Sequence, residues 1–586
     1  MPASANFIHW TLDFELIFAP MTPPTPLLKF RAGAWLLLLV AMIPVLLFYT
    51  VIWQQAVNVP LQDDYDALFE PVMALSHGPY SLAQVWKAYA AQDDERRIIV
   101  DRFVAHMHYL LTGHIDFRTQ ILIGSLVLLV VLAVFIAWFR RSKLPWIWTL
   151  PIPFVLFNMQ YYDAVLWSMI PLQHIGVYVW ALLAIWWLSR DTSRLFWLAT
   201  VAAIISLFSD VTGVLILPVG ALMLIATKRW QRLGIWLVIM GGLVAFYMHG
   251  LVVPSYRPSL SDNLHHPLTI AALWLAMQGL WADVLPHAGL PGRLVLTITL
   301  GLVAVGIWSS SLWNSVRTYV FTRQQPEGQE LFLYGGLLML LGTFTLFATG
   351  RALEGVDAAF ISRYRVLYLL WFILLYLLIL SRLNTKLTTN RLVSGGVVAL
   401  SLLYCLTTYF QYWNDLTLFR HTLLTDLYGW RYNRVLPSSP IYLDHRPAID
   451  TLFENGMKRG IFRYENPDID SLRTALVVGQ AEVVVNQLPT FISITVPRIP
   501  GGEAAAVPDA VFILLRTKTG AVHIFPTKAT TYSPLMALRR QQYTTSPYAS
   551  IPILRKYLRS SVYNVEVGVW RGKDKVRYQT PAVISF

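Results

Sequence analysis

Between residues 32 and 410 the chain turns apolar again and again for long enough to cross a lipid bilayer. A helix needs roughly 20 predominantly apolar residues to span the hydrocarbon core, where the backbone must satisfy its own hydrogen bonds. This recurrence rules out a soluble globular fold and predicts a polytopic α-helical membrane protein. About eleven transmembrane helices are expected, near residues 32–53, 119–138, 145–158, 175–188, 195–208, 211–226, 234–253, 294–313, 331–349, 366–380 and 392–410. The apolar stretch 269–285 carries Gln278 and Asp283 and reads as an external interfacial helix.

Charge placement orients the set. Lys29 and Arg31 precede the first run, and Arg140, Arg141, Lys143, Arg190, Arg194, Lys228, Arg229 and Arg232 fall in alternate short loops. Basic residues concentrate on the cytoplasmic side, so the N-terminal segment 1–31 is expected to be cytoplasmic or interfacial, and everything after residue 411 external. Residues 1–20 read either as lying ahead of a true start at Met21 or as an interfacial helix. The net charge of +13 sits in these loops, so it points to a membrane surface and not to nucleic acid. Cys405 is the single cysteine and lies in an apolar run, which excludes an internal disulfide. No Walker motif, dinucleotide fingerprint or nucleophile elbow is present, which argues against nucleotide-driven chemistry.

After Phe410 the composition changes. Residues 411–480 read as an external helical linker, with helices at 415–428 and 448–459. Residues 481–586 carry β-branched and aromatic runs between turn residues, which suits an external β-rich, β-sandwich-like domain.

Three external loops carry more polar residues than insertion requires. The first loop, 54–118, opens with Asp63 and Asp64 where the chain leaves the membrane and continues to Glu95-Arg96-Arg97. Carboxylates partly desolvated at an interface can act as a general base or bind a cation; a solvated acidic turn is the alternative. The second runs from Gln160, Tyr162 and Asp163 through Trp167 to Gln173, a set suited to holding a sugar, although an interfacial aromatic belt also explains the rings. The third holds Arg351, Arg363, Tyr364 and Arg365 on the side that should be poor in arginine. Arginine forks bind phosphate oxygens bidentately, so a lipid phosphate is one partner. Internal pairing with Glu354, Asp357 or the first-loop acids is the other. No convincing metal-ligand set is apparent, and a divalent cation stays open as a cofactor.

An acidic pair just outside the first span, a long first external loop, about eleven spans and a C-terminal external domain together resemble the GT-C superfamily of glycosyltransferases. The likeness is closest to its bacterial membrane proteins and covers residues 30–440. It is carried by Glu95-Arg96-Arg97, by Tyr162-Asp163 through Trp167 and Gln173, by the turn Phe208–Gly213, and by Gly350-Arg351 with Ser362-Arg363-Tyr364. Asp93-Asp94-Glu95-Arg96-Arg97 stands where the family element would read Asn-Glu-His-Arg. The resemblance implies sugar transfer, in a bacterial cytoplasmic membrane, from a polyprenyl-phosphate donor to an external cell-envelope glycan or lipid acceptor. Asp63, Asp64 or Glu95 would be catalytic. Arg351, Arg363, Arg365 and Tyr364 would bind the donor phosphate, and Arg97, Gln160, Tyr162, Asp163, Trp167 and Gln173 would bind substrate. A transporter or flippase of lipid-linked glycans, and a non-catalytic envelope scaffold, are the alternative classes.

Overall fold

The computed structural model describes residues 32–585, apart from 77, 323–324, 440–441, 501–507, 541 and 559–560. The expected segment 1–31 lies outside the described residues. Among these, eight helices are long and apolar enough to span a membrane: Leu36–Gln55, Phe117–Phe139, Pro171–Leu188, Trp230–Met248, Leu290–Tyr319, Gly328–Gly350, Ser362–Arg382 and Arg391–Asn433.

The expected count of about eleven is thereby corrected, because three of the apolar runs form short helices instead: Trp146–Leu156, Ser193–Ser209 and Val211–Ala226. Local chemistry explains their length. Pro151 and Pro153 confine the first to a turn and a half of α-helix after a 3-10 start. The other two are separated by a tight hairpin at Asp210–Gly213. A Cβ on Gly213 would lie 2.3 Å from the carbonyl oxygen of Ser206, so glycine alone lets the turn fold back on the preceding helix. The stretch 269–285 also departs from a helix lying alone at an interface. Helix Pro267–Gly279 is packed into the bundle, and Gly279 and Gly301 bring it into backbone contact with Leu290–Thr322.

The first loop folds into helices Leu82–Ala90 and Ile99–Thr112 after a π-helical turn at Tyr65–Phe69 that continues into the short α-helix Glu70–Ala74. Ser81 and Gln84 form a reciprocal capping box at the start of Leu82–Ala90. The last membrane helix does not stop at residue 410. It runs unbroken for 43 residues, Arg391–Asn433, about 65 Å at 1.5 Å per residue. It thereby carries the chain from the bilayer to the sheet. Helix Tyr442–Lys458 then returns to the first loop, where Phe453 packs on Tyr65 and Phe69 at ring separations of 5.5 and 6.1 Å.

The C-terminal residues form nine strands: β1 (Leu476–Gln480), β2 (Val484–Gln487), β3 (Phe491–Val496), β4 (Ala510–Thr517), β5 (Val522–Thr531), β6 (Thr544–Ser550), β7 (Ile553–Leu554), β8 (Val562–Arg571) and β9 (Asp574–Ser585). Their order is β1-β9-β8-β4-β5-β6-β3-β2, with β7 beside β3, and only β1–β9 is parallel among the described pairs. Strand β5 changes partner midway. It pairs with β4 up to Pro526 and with β6 from Thr527, because proline has no N–H to continue the first ladder. The β-rich expectation holds, but the strands form one open sheet in which both halves contribute to a single apolar interior, including Ile494, Ile513, Phe525 and Val567. Alternate residues of β4, Phe512 and Leu514, face the other way and join the helical core.

Candidate functional site

A cavity of about 280 Å³ lies where the first loop meets the ends of the membrane helices. It is lined by Glu95, Arg96, His174, Asp210, Thr212, Arg257, Arg351 and Tyr364, with Val177, Leu346, Phe347 and Leu367 from the spans below. All four short stretches named above contribute: the Glu95-Arg96 turn, the neighbourhood of Gln173, the Phe208–Gly213 hairpin, and the Gly350-Arg351 to Tyr364 loop. Sequence separations exceed 250 residues, so only folding brings them together.

The first loop supplies its groups through a tight turn. Asp93 and Arg96 exchange both backbone hydrogen bonds, at 2.8 and 2.9 Å, and Asp94 takes positive φ between them. The Arg96 guanidinium donates to Asp93 at 3.0 Å and to Asp63 at 3.1 Å. Asp63 keeps 41 % of its side chain exposed. Asp64 does not share that role. It is fully buried, and its oxygens accept the backbone N–H groups of Leu61 and Met169, so it pins the loop to the following helices. Loss of water pushes its carboxyl up to about 7, with Ser168 and the backbone bonds opposing. Asp101 is also buried, with neither carboxylate oxygen hydrogen-bonded among the described residues, and burial raises it well above the usual range.

Glu95 faces Arg257, whose guanidinium bridges Asp94 at 2.6 Å, Glu95 at 3.4 Å and Glu354 at 3.4 Å. Burial, and then hydrogen bonding to Asp94, push Glu95 up to about 7. A carboxyl raised in the folded state stabilises the fold most below its ordinary value near 4.5, and that contribution is lost as pH rises through about 7. Glu95→Gln should therefore fall less in stability between pH 5 and pH 8 than the parent. Thermal midpoints in detergent at the two pH values check this; identical slopes would mean that Glu95 does not titrate there.

Tyr364 is the hub of the opposite wall. His174 lies over it at 5.7 Å, Phe347 meets it edge-on at 4.9 Å, and Arg351 and Arg363 approach its ring at 5.7 and 5.2 Å. Arg351 pairs with Glu354 at 2.9 Å, the internal pairing that was the alternative for this loop. Arg363 lies between Tyr364 and Trp167, 5.6 Å from the latter, and forms no ion pair among the described residues. Asp163 and Asp63 lie within its electrostatic reach. Burial raises the Asp163 carboxyl above its ordinary value, opposed by a hydrogen bond with Ser362.

Several expected residues are used structurally. Arg365 turns away from the cavity and is 2 % exposed; it bonds Asp283 at 2.7 Å, so it is not placed beside Arg363 at a donor phosphate. The two arginines are two residues apart and diverge as the chain enters the helix. Arg97 spends its guanidinium on the backbone carbonyls of Ala90, Tyr247 and His249. The Gln160 amide ties the carbonyls of Trp281 and Asp283 to Tyr404, and Tyr162 packs against Tyr412 and Phe419. Gln173 acts one step behind the cavity, donating to Asp210 at 3.0 Å. Arg257 was not singled out from sequence, and Asp210 entered only as part of the Phe208–Gly213 turn. The signal for Asp210 was there: a lone acid between two apolar helices, capping Thr212 at 2.9 Å.

No cluster of three or more His, Cys, Asp or Glu suited to a metal ion occurs among the described residues. Comparison with protein-family models, curated proteins and solved structures finds no match to this chain.

Proposed function

We propose that this chain is a membrane glycosyltransferase that moves a sugar from a polyprenyl-phosphate donor to a glycan or lipid acceptor. The observation that carries the reading is the cavity's division into two halves. Arginines 96, 257 and 351 line its polar wall, Arg363 stands beside it, and Val177, Leu346, Phe347 and Leu367 form an apolar wall continuous with the spans. An amphiphile with a phosphate headgroup matches both halves, since guanidinium forks bind phosphate and the spans accept an isoprenoid chain. In this reading the basic loops face the cytoplasm, and the cavity and sheet face outward.

The chemistry follows from which groups are accessible. Asp63 accepts the proton of the acceptor hydroxyl, and that oxygen forms a bond to the anomeric carbon. The bond from that carbon to the phosphate oxygen breaks, and polyprenyl phosphate leaves with the electron pair while Arg351 and Arg363 stabilise its charge. Arg96, held by Asp93, orients Asp63. A flippase could use the same cavity but would leave the sugar–phosphate bond intact.

Binding of polyprenyl phosphate to the protein in nanodiscs tests the assignment. A hydrogen bond to a charged group is worth about 1.5–3 kcal/mol. Arg351→Ala and Arg363→Ala should each therefore weaken binding roughly ten- to hundredfold. Unchanged affinity in both folded variants would reject the phosphate site.

A further inference from the structure

The far ends of the same helices carry a second cationic cavity. Span Pro171–Leu188 has His174 at one end and reaches Ser189 and Arg190 at the other, while helix Gly328–Gly350 runs back to Gly350-Arg351. The intervening 23 residues correspond to about 34 Å of helix. At this distal end a cavity of about 440 Å³ is lined by Arg141, Trp186, Ser189, Arg190, Glu327 and Gln329, among others.

Arg190 is 6 % exposed, yet its Nε and Nη2 atoms have no hydrogen-bond partner among the described residues. Its guanidinium lies 4.0 Å from the Trp186 ring centroid, and that of Arg141 lies 5.2 Å from the same ring. Neither arginine forms an ion pair among the described residues. The acids in the lining do not neutralise them: Asp191 pairs with Arg229 and Arg232 at 3.4 and 2.5 Å, and exposed Glu327 contacts neither closely enough for an ion pair. Burial, and then Arg141, push Arg190 down to about 9. The helix that begins at Gly328 has no side-chain cap, so its free N–H groups add positive potential. Gly328 itself sits against Ser189, where a Cβ would lie 2.7 Å from the carbonyl oxygen.

A buried cation without a partner beside a second cation is costly unless an anion completes it. We propose that Arg141 and Arg190 bind the phosphate of an anionic phospholipid headgroup at the face opposite the Glu95–Arg351 cavity. The ends of the spans place both groups at headgroup depth, where anionic lipids concentrate on the face rich in basic residues. Arg190 binds phosphate through its unpartnered edge, Trp186 lies beside both guanidinium groups, and the solvent-facing Arg141 closes the site. This assignment is independent of the sugar-transfer reading.

The test uses the full-length protein in neutral detergent, with thermal stability followed against added phosphatidylglycerol, phosphatidylcholine or inorganic phosphate. Phosphatidylglycerol should stabilise it saturably, while the other two have little effect at equal concentration. Arg190→Gln and Arg141→Gln should each raise the half-saturating phosphatidylglycerol concentration by about tenfold. Arg141 is exposed, so its variant remains informative if Arg190→Gln fails to fold. Equal responses from the parent and Arg141→Gln would overturn the site. Inorganic phosphate matching phosphatidylglycerol would overturn the lipid as its source.

Discussion

Asp63→Asn should lower turnover about 10²–10⁴-fold, the usual contribution of a positioned acid or base, while donor affinity changes little. The amide keeps the shape and still accepts the Arg96 hydrogen bond, but it cannot take a proton from the acceptor hydroxyl. Asp64 is the built-in control. It is fully buried and tied to the backbone at Leu61 and Met169, so Asp64→Asn should reduce thermal stability and leave the turnover of the folded fraction closer to normal. The measurement is transfer from a polyprenyl-phosphate sugar in proteoliposomes, normalised to folded protein, since only a loss confined to turnover identifies a group used in the transition state. Near-normal transfer by Asp63→Asn would remove it as the base. Loss in Glu95→Gln alone would move that role into the cavity, where a carboxyl pushed up to about 7 would make the rate rise as pH passes through that value.

Asp283→Ala should destabilise the membrane core by about 3–5 kcal/mol, the cost of breaking a buried ion pair by removing one partner. Asp283 accepts from Arg365 at 2.7 Å and from Arg293 at 2.5 Å, and its backbone carbonyl accepts from Arg365 and from Tyr412 at 2.9 and 3.1 Å. Without the carboxylate, Arg365 keeps its burial and loses its counter-charge, whereas Arg293 is nearer the surface. Unfolding in mixed micelles should show an earlier transition. If stability were unchanged while donor binding altered, Arg365 would be a ligand and not a structural cation. Arg365→Met, which removes the charge and retains bulk, should be less harmful than Asp283→Ala.

Apolar length was legible in the sequence because insertion depends on local composition: each of the eight spanning helices overlaps an expected run. Helix ends were less legible. At Trp146–Leu156 and at the Gly213 hairpin, prolines and a close backbone contact shorten runs that hydropathy alone extends. The strand runs at Phe491–Val496, Ala510–Thr517 and Val562–Arg571 were readable from β-branched and aromatic patterning. The partner change at Pro526 was not, because ladder choice depends on which strands arrive on either side.

The same division runs through the site. Sequence by itself singled out Arg351, Arg363 and Arg365 as arginines placed against the expected charge bias, and Glu95 as an acid of the first loop, because each residue's cost at a membrane is set by its own chemistry. It preferred Asp63 to Asp64 only as the residue nearer the membrane, and Arg363 to Arg365 only as the one beside Tyr364, because neighbours in sequence have the same composition around them. Tertiary structure decided those cases. One carboxylate is sealed by the backbone of Met169 while the other meets Arg96, and one guanidinium is neutralised by Asp283 while the other stacks on Tyr364. Apart from the adjacent Tyr364, the deciding contacts come from residues 33 to 105 positions away, and burial and pairing at such range are properties of the packed chain.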